Sequence, residues 1–149
     1  MSLEEQIQQG IKSAMLAKEK VKLESLRAIK AAILLEKTSN GADNIADDAV
    51  LKIIQKLVKQ RKETAEIYKQ QNRTELAENE LNEASYMEVF LPKPLSESEL
   101  REEIKKIIAQ VGASKPADMG KVMGVASKQL SGKADGKAIS TIVKEELSK

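Results

Sequence analysis

The stretch GKVMGVASKQLSGKADGK, residues 120–137, interleaves glycine and lysine. Glycine lets another backbone come close, and lysine supplies positive charge, so the chemistry this suggests is the holding of phosphate. A nucleotide-hydrolysing loop needs G-x-x-x-x-G-K-[ST] between a strand and a helix. Here the Gly132–Gly136 spacing is one residue short, Ala138 follows the lysine, and no strand precedes. Nucleotide hydrolysis is therefore rejected. A narrower role survives. Helix N-termini favour anions, and Lys133 and Lys137 flank the start of the last expected helix, where a single backbone phosphate could dock.

The same stretch contains an oddity. Gly120 and Gly124 share a helix face that Ser127 and Ser131 continue, while Met119, Val122, Met123, Ala126 and Leu130 form the apolar face. A glycine inside a helix costs about 1 kcal/mol against alanine. The expected compensation is a close neighbour: a helix of the same domain, a partner helix, or the backbone of a bound polymer.

Few other groups could do chemistry. The 149 residues include no cysteine and no histidine, which excludes disulfides, zinc–thiolate sites, cysteine nucleophiles and histidine acid–base pairs. Carboxylates and lysines are spread over helix faces without a convergent cluster, so no catalytic residue, metal site or cofactor is assigned.

Helices must position these groups. Aromatic residues make up 2 % of the chain, so the core has to be aliphatic, and glycine and proline are scarce. Apolar residues recur every three or four positions, and strand-like alternation is nowhere sustained. Leu3, Ile7, Ile11 and Ala14 make one stripe; Leu23, Leu26, Ile29 and Ile33 make a second. The second helix should stop at Asn40-Gly41, and a long third helix over 47–71 carries Val50, Ile53, Ile54, Leu57, Val58, Ala65 and Tyr68. Asn72, with Glu75, reads as the capping box of a fourth helix bearing Leu76, Leu81, Met87 and Phe90. Pro92 and Pro94 then break the pattern. The expected organisation is all-α: a bundle of about four helices over 1–91, a proline-containing linker over 92–95, and a three-helix tail domain over 96–149. Within the tail, Ser96 with Glu99 caps the first helix, Ser114 or Lys115 the second, and Asp135 the third. The N-terminus lacks the basic start and apolar run of a signal peptide, and no apolar stretch spans a bilayer, so a soluble cytoplasmic protein with no membrane partner is expected.

Net charge is only +2, but it is unevenly placed. Residues 50–73 carry seven basic against two acidic residues, and 75–88 carry five glutamates and no base. The two helices should neutralise each other across their flanks. Residues 20–37 and 112–137 each have five basic against two acidic residues. Arg27, Lys30 and Lys37 form a secondary basic patch, and Lys121, Lys128, Lys133 and Lys137 belong to the tail.

The run ADMGKVMG, then GKADGK and a closing amphipathic helix, resembles the tail domain of the GatB/YqeY family. The segment VKQRKETAEIYKQQNRTELAENE and the linker LPKPLSESEL resemble its stand-alone YqeY-like branch. The resemblance covers essentially the whole chain. It implies the two helical parts found at the C-terminus of the GatB component of the tRNA-dependent amidotransferase, whose tail is understood to contact tRNA. By that likeness Gly120, Lys121, Gly124, Gly132, Lys133, Asp135 and Lys137 match the tail motif and are candidates for contact with tRNA or another structured RNA, or for shaping that surface. The family's large catalytic domain, with its ATP and magnesium site, has no room here. Carbon–nitrogen ligase activity with glutamine as donor would be inherited from longer relatives. The expected function is a non-catalytic tRNA-binding module; the alternative is an adaptor docking on a synthetase or amidotransferase assembly.

Overall fold

The computed structural model describes all residues, Met1–Lys149, as seven α-helices and one short 3-10 turn, without strands. The all-α class expected from the periodicity is what forms. No helix is long and apolar enough to cross a membrane. The chain divides into two compact units, Met1–Leu91 and Pro92–Lys149.

The first unit holds α1 (Leu3–Ala17), α2 (Lys20–Asn40), α3 (Asp47–Gln70) and α4 (Thr74–Glu88). Ser2 and Glu5 form a capping box that satisfies two N–H groups at the start of α1. Lys18 turns the chain in the left-handed region, at φ 57°, and α2 runs back antiparallel. An ion pair between Glu4 and Lys37 joins the far ends of this hairpin, and the Leu3 N–H donates to Asp47 Oδ1 at 3.0 Å, tying α1 to α3. Ile7, Ile11, Leu26, Ile29, Ile33, Val50, Ile54 and Val58 meet in one core with Ala84 and Met87 of α4. The close helix approach sought for glycine occurs here, at Gly10: a Cβ there would sit 2.9 Å from Leu26 Cδ1.

Two expectations for α4 are corrected. Asn72 does not cap it. Asn72 adopts φ 59° and terminates α3 instead, with the Arg73 N–H donating to the Tyr68 carbonyl at 2.8 Å. Asparagine tolerates this left-handed closing position, and that use takes precedence over capping. The inner face of α4 is also not the leucine stripe. Ala77, Ala84 and Met87 are buried, whereas Leu76 is 44 % exposed. Small residues let α3 and α4 pack closely, since interaxial distance follows side-chain size.

The second unit holds α5 (Glu97–Val111), the 3-10 turn Pro116–Asp118, α6 (Met119–Gln129) and α7 (Gly136–Leu147). Ser96 and Glu99 make the expected capping box, and hydrogen bonds from Ser96 hold the Glu99 carboxyl below the usual carboxylate range. Gly112 ends α5 at φ 70°. Ile104, Ile107, Val122, Ala126, Leu130 and Val143 are among the residues that close the core. The segment before α5 takes part: Leu95 packs on this core, and its N–H donates to the Lys133 carbonyl at 3.0 Å.

Arg101 of α5 clamps α7. Its guanidinium donates to Glu146 at 2.7 Å and to Glu145 at 2.8 Å. Glu146 also meets Lys149 at 3.0 Å, and its side chain is only 7 % exposed. Hydrogen bonds from Arg101, then from Lys149, hold the Glu146 carboxyl below its ordinary range. In the first unit Glu83 shifts the other way: burial raises it, more than Arg61 opposes.

These opposite directions set a pH prediction. A depressed carboxyl stabilises the fold above its unfolded pKa, and that stability is lost as pH falls through the folded value. A raised carboxyl has the reverse sign. Acidification from about pH 6 to about pH 3 should therefore loosen the second unit before the first. Amide spectra recorded along the titration would show residues of α5–α7 losing dispersion first, and Glu146→Gln should flatten that dependence while lowering the melting temperature at neutral pH.

Candidate nucleic-acid interface

The glycine–lysine stretch is presented by α6, the loop 130–135 and the start of α7. Residues 112–115 lead into the 3-10 turn, where capping runs opposite to expectation. Ser114 and Lys115 contribute no side-chain cap. Asp118 reaches back instead, accepting the Ser114 N–H at 3.1 Å. That bond, chiefly, holds the Asp118 carboxyl below its ordinary range, with Lys115 and Lys121 adding to it.

Val122, Ala126 and Leu130 are buried, so the apolar face of α6 points inward. The opposite face is open. Gly120 and Gly124 are exposed, and a Cβ built on either would have nothing within 4 Å. The same-domain neighbour considered from sequence is therefore not there. Two glycines weaken the helix without a packing return inside the chain. Lys121 and Lys128, both exposed, border this strip. Ser131 does not continue it: the side chain is buried and donates to the Ser127 carbonyl at 2.6 Å.

Gly132 is also buried, and it adopts φ 76°. Its role is to turn the chain where a side chain would be strained. Its neighbour Lys133 is exposed, with its backbone held by Leu130 and Leu95. Asp135 caps α7 as expected, accepting the Lys137 N–H at 2.7 Å. This changes the anion reading of the helix start. An internal carboxylate already serves the N–H group that a phosphate would use, so attraction there must come from the ammonium groups of Lys133 and Lys137. Both line an open cleft of about 600 Å³ whose other wall includes Leu95 and Leu100.

The secondary patch lies in the first unit and is smaller than expected. Arg27 and Lys30 are exposed on α2, but Lys37 is paired with Glu4. The charge of α3 is partly neutralised by α4, as expected, through Lys62–Glu88 at 2.9 Å and Arg61–Glu83 at 3.7 Å. The Arg61 Nε is buried without a hydrogen-bond partner. Two contributors to the second unit, the Leu95–Lys133 bond and the Arg101 clamp, have no signal in the sequence. Each joins residues far apart in the chain, and neither partner stands in a distinctive local pattern.

A stability prediction separates the glycines. Gly120→Ala and Gly124→Ala should each raise the stability of the second unit by about 0.5–1 kcal/mol, since propensity improves and nothing is displaced. Gly132→Ala should lower it by about 1 kcal/mol because of its left-handed backbone. Gly10→Ala should fall near neutral, because the propensity gain is offset by displacing Leu26. Urea unfolding of the four variants would give this order.

No curated protein matches the chain closely enough to count as a relative. The model of the family described as Yqey-like protein matches residues 4–147, which covers the seven helices except for Leu3 at the start of α1. The chain belongs to the YqeY-like family.

Proposed function

We propose that the chain is a non-catalytic module that grips structured RNA, tRNA first, through its second unit. The observation that carries this reading is the open strip of α6: Gly120 and Gly124 are exposed with no intramolecular neighbour. A backbone-bare strip bordered by lysines suits a sugar–phosphate backbone, which needs close approach and positive charge more than base contacts. Lys133 and Lys137 extend the charge onto the loop and α7. The three aromatic residues, Tyr68, Tyr86 and Phe90, all fall in the first unit, so the second has none on which to stack bases. Recognition by shape and phosphate contact follows. The resemblance of the second unit to the GatB tail supports the choice of tRNA. Ligase chemistry is not proposed for this chain.

The same strip favours one alternative: a helix of a synthetase or amidotransferase assembly laid against the two glycines, making the protein an adaptor. Gly120→Leu with Gly124→Leu would fill the strip against a helix and a nucleic-acid backbone alike. Charge reversal at Lys133 and Lys137, which weakens RNA far more than an apolar helix contact, separates the two readings.

Lys133→Glu with Lys137→Glu should weaken binding to total tRNA by about tenfold or more, with helical content unchanged by circular dichroism. With four lysines in contact, affinity should fall about 100-fold between about 50 and 200 mM salt. Duplex DNA as competitor tests preference. Unchanged tRNA binding in the double variant, or equal displacement by DNA, would remove the RNA reading.

A further inference from the structure

We propose that the groove between the end of α2 and the first half of α3 is a docking site for an amphipathic helix of another protein, oriented by an acidic flank. The groove has a volume of about 390 Å³ and lies wholly within the first unit. Its apolar surface comes from Leu35 of α2 and Ile53 and Leu57 of α3, and Lys52 and Lys56 also line it.

The core accounts for only part of this surface: Ile53 and Leu57 pack on it and stay half-buried, and Leu35 is left outside it. α2 buries Leu26, Ile29 and Ile33, and no later residue of the helix is buried. Leu35 is 69 % exposed, although it lies on the same helix and beside water-facing Glu36. What sets Leu35 apart from a single exposed leucine is that it joins the half-buried Ile53 and Leu57 in one groove, a contiguous apolar floor of the kind that marks an interaction site. Lys52 to Gln60 of α3 spans about 12 Å along the helix axis, which matches about two turns of a docked helix.

Charge selects the occupant. Lys52 and Lys56 stand one turn apart on α3, and unlike Arg61 and Lys62 they form no ion pair. Two unneutralised ammonium groups beside an aliphatic floor call for carboxylates next to leucines, the arrangement on one flank of an acidic amphipathic helix. Glu36, on the α2 side, calls for a basic or polar residue on the opposite flank. The floor has no aromatic ring on which a base could stack, and Glu36 repels phosphate, so the groove is a poor nucleic-acid site.

The test uses the full chain, labelled with nitrogen-15, and two synthetic helical peptides of about 16 residues sharing one leucine stripe. One peptide has glutamates on its flanks and the other lysines. The glutamate peptide should bind, with amide shifts concentrated at Leu35, Lys52, Ile53, Lys56 and Leu57, and the lysine peptide should bind about tenfold more weakly. Lys52→Glu with Lys56→Glu should reverse that preference, and Leu35→Asp should weaken both peptides about tenfold. All three positions are at or near the surface, and the preference measured on the unsubstituted chain stands even if a variant unfolds. Equal binding of the peptides overturns the proposal. So do shifts centred elsewhere, tRNA shifting these residues while neither peptide does, or sedimentation showing that a second copy of the chain already covers the groove.

Discussion

The second unit depends on covering its core without aromatic side chains. Three short helices must bury enough aliphatic surface to offset the ordering of their backbone, and units of this size have little to spare. Apolar residues from all three helices point inward: Leu100, Ile104 and Ile107 from α5, Val122 and Ala126 from α6, Ile139, Ile142, Val143 and Leu147 from α7. That demand leaves the outer face of α6 to residues with no part in packing. Its glycines and lysines are thus placed by what the inner face requires.

Around that core, polar contacts act where hydrophobic contact is thin. The capping box at Ser96 and the Asp135 cap satisfy the starts of α5 and α7. Arg101 joins the same two helices from the side through two carboxylates. One guanidinium can serve both because its donors diverge in a plane. In the first unit the equivalent task is shared between the Glu4–Lys37 pair at one end of a hairpin and the Lys62–Glu88 pair on another.

Local signals were legible in the sequence and distant ones were not. The stripes of α1, α2 and α3 could be read because burial repeats with the helical period: Ile7, Ile11 and Ala14, or Ile29 and Ile33. Ser96 and Asp135 could be read as caps because capping is decided within four residues. Asn72 misled because the same residue type both starts and closes helices, and only the backbone conformation decides which. The alanine face of α4 was hidden because leucine normally marks the buried side. For the candidate site, spacing showed that Gly120 and Gly124 share a face, but whether anything lies against it is a long-range fact. Gly10, which does have a close neighbour, carried no local sign of it.

The hydrogen bond between Leu95 and Lys133 joins the entrance of the second unit to its basic loop. The segment that enters the unit and the loop that displays its lysines are mechanically one piece. A pull on the chain at Pro92 reaches Lys133 as directly as it reaches α5. Strain entering at Pro92 is therefore shared between α5, the core on which Leu95 packs and the loop that carries Lys133.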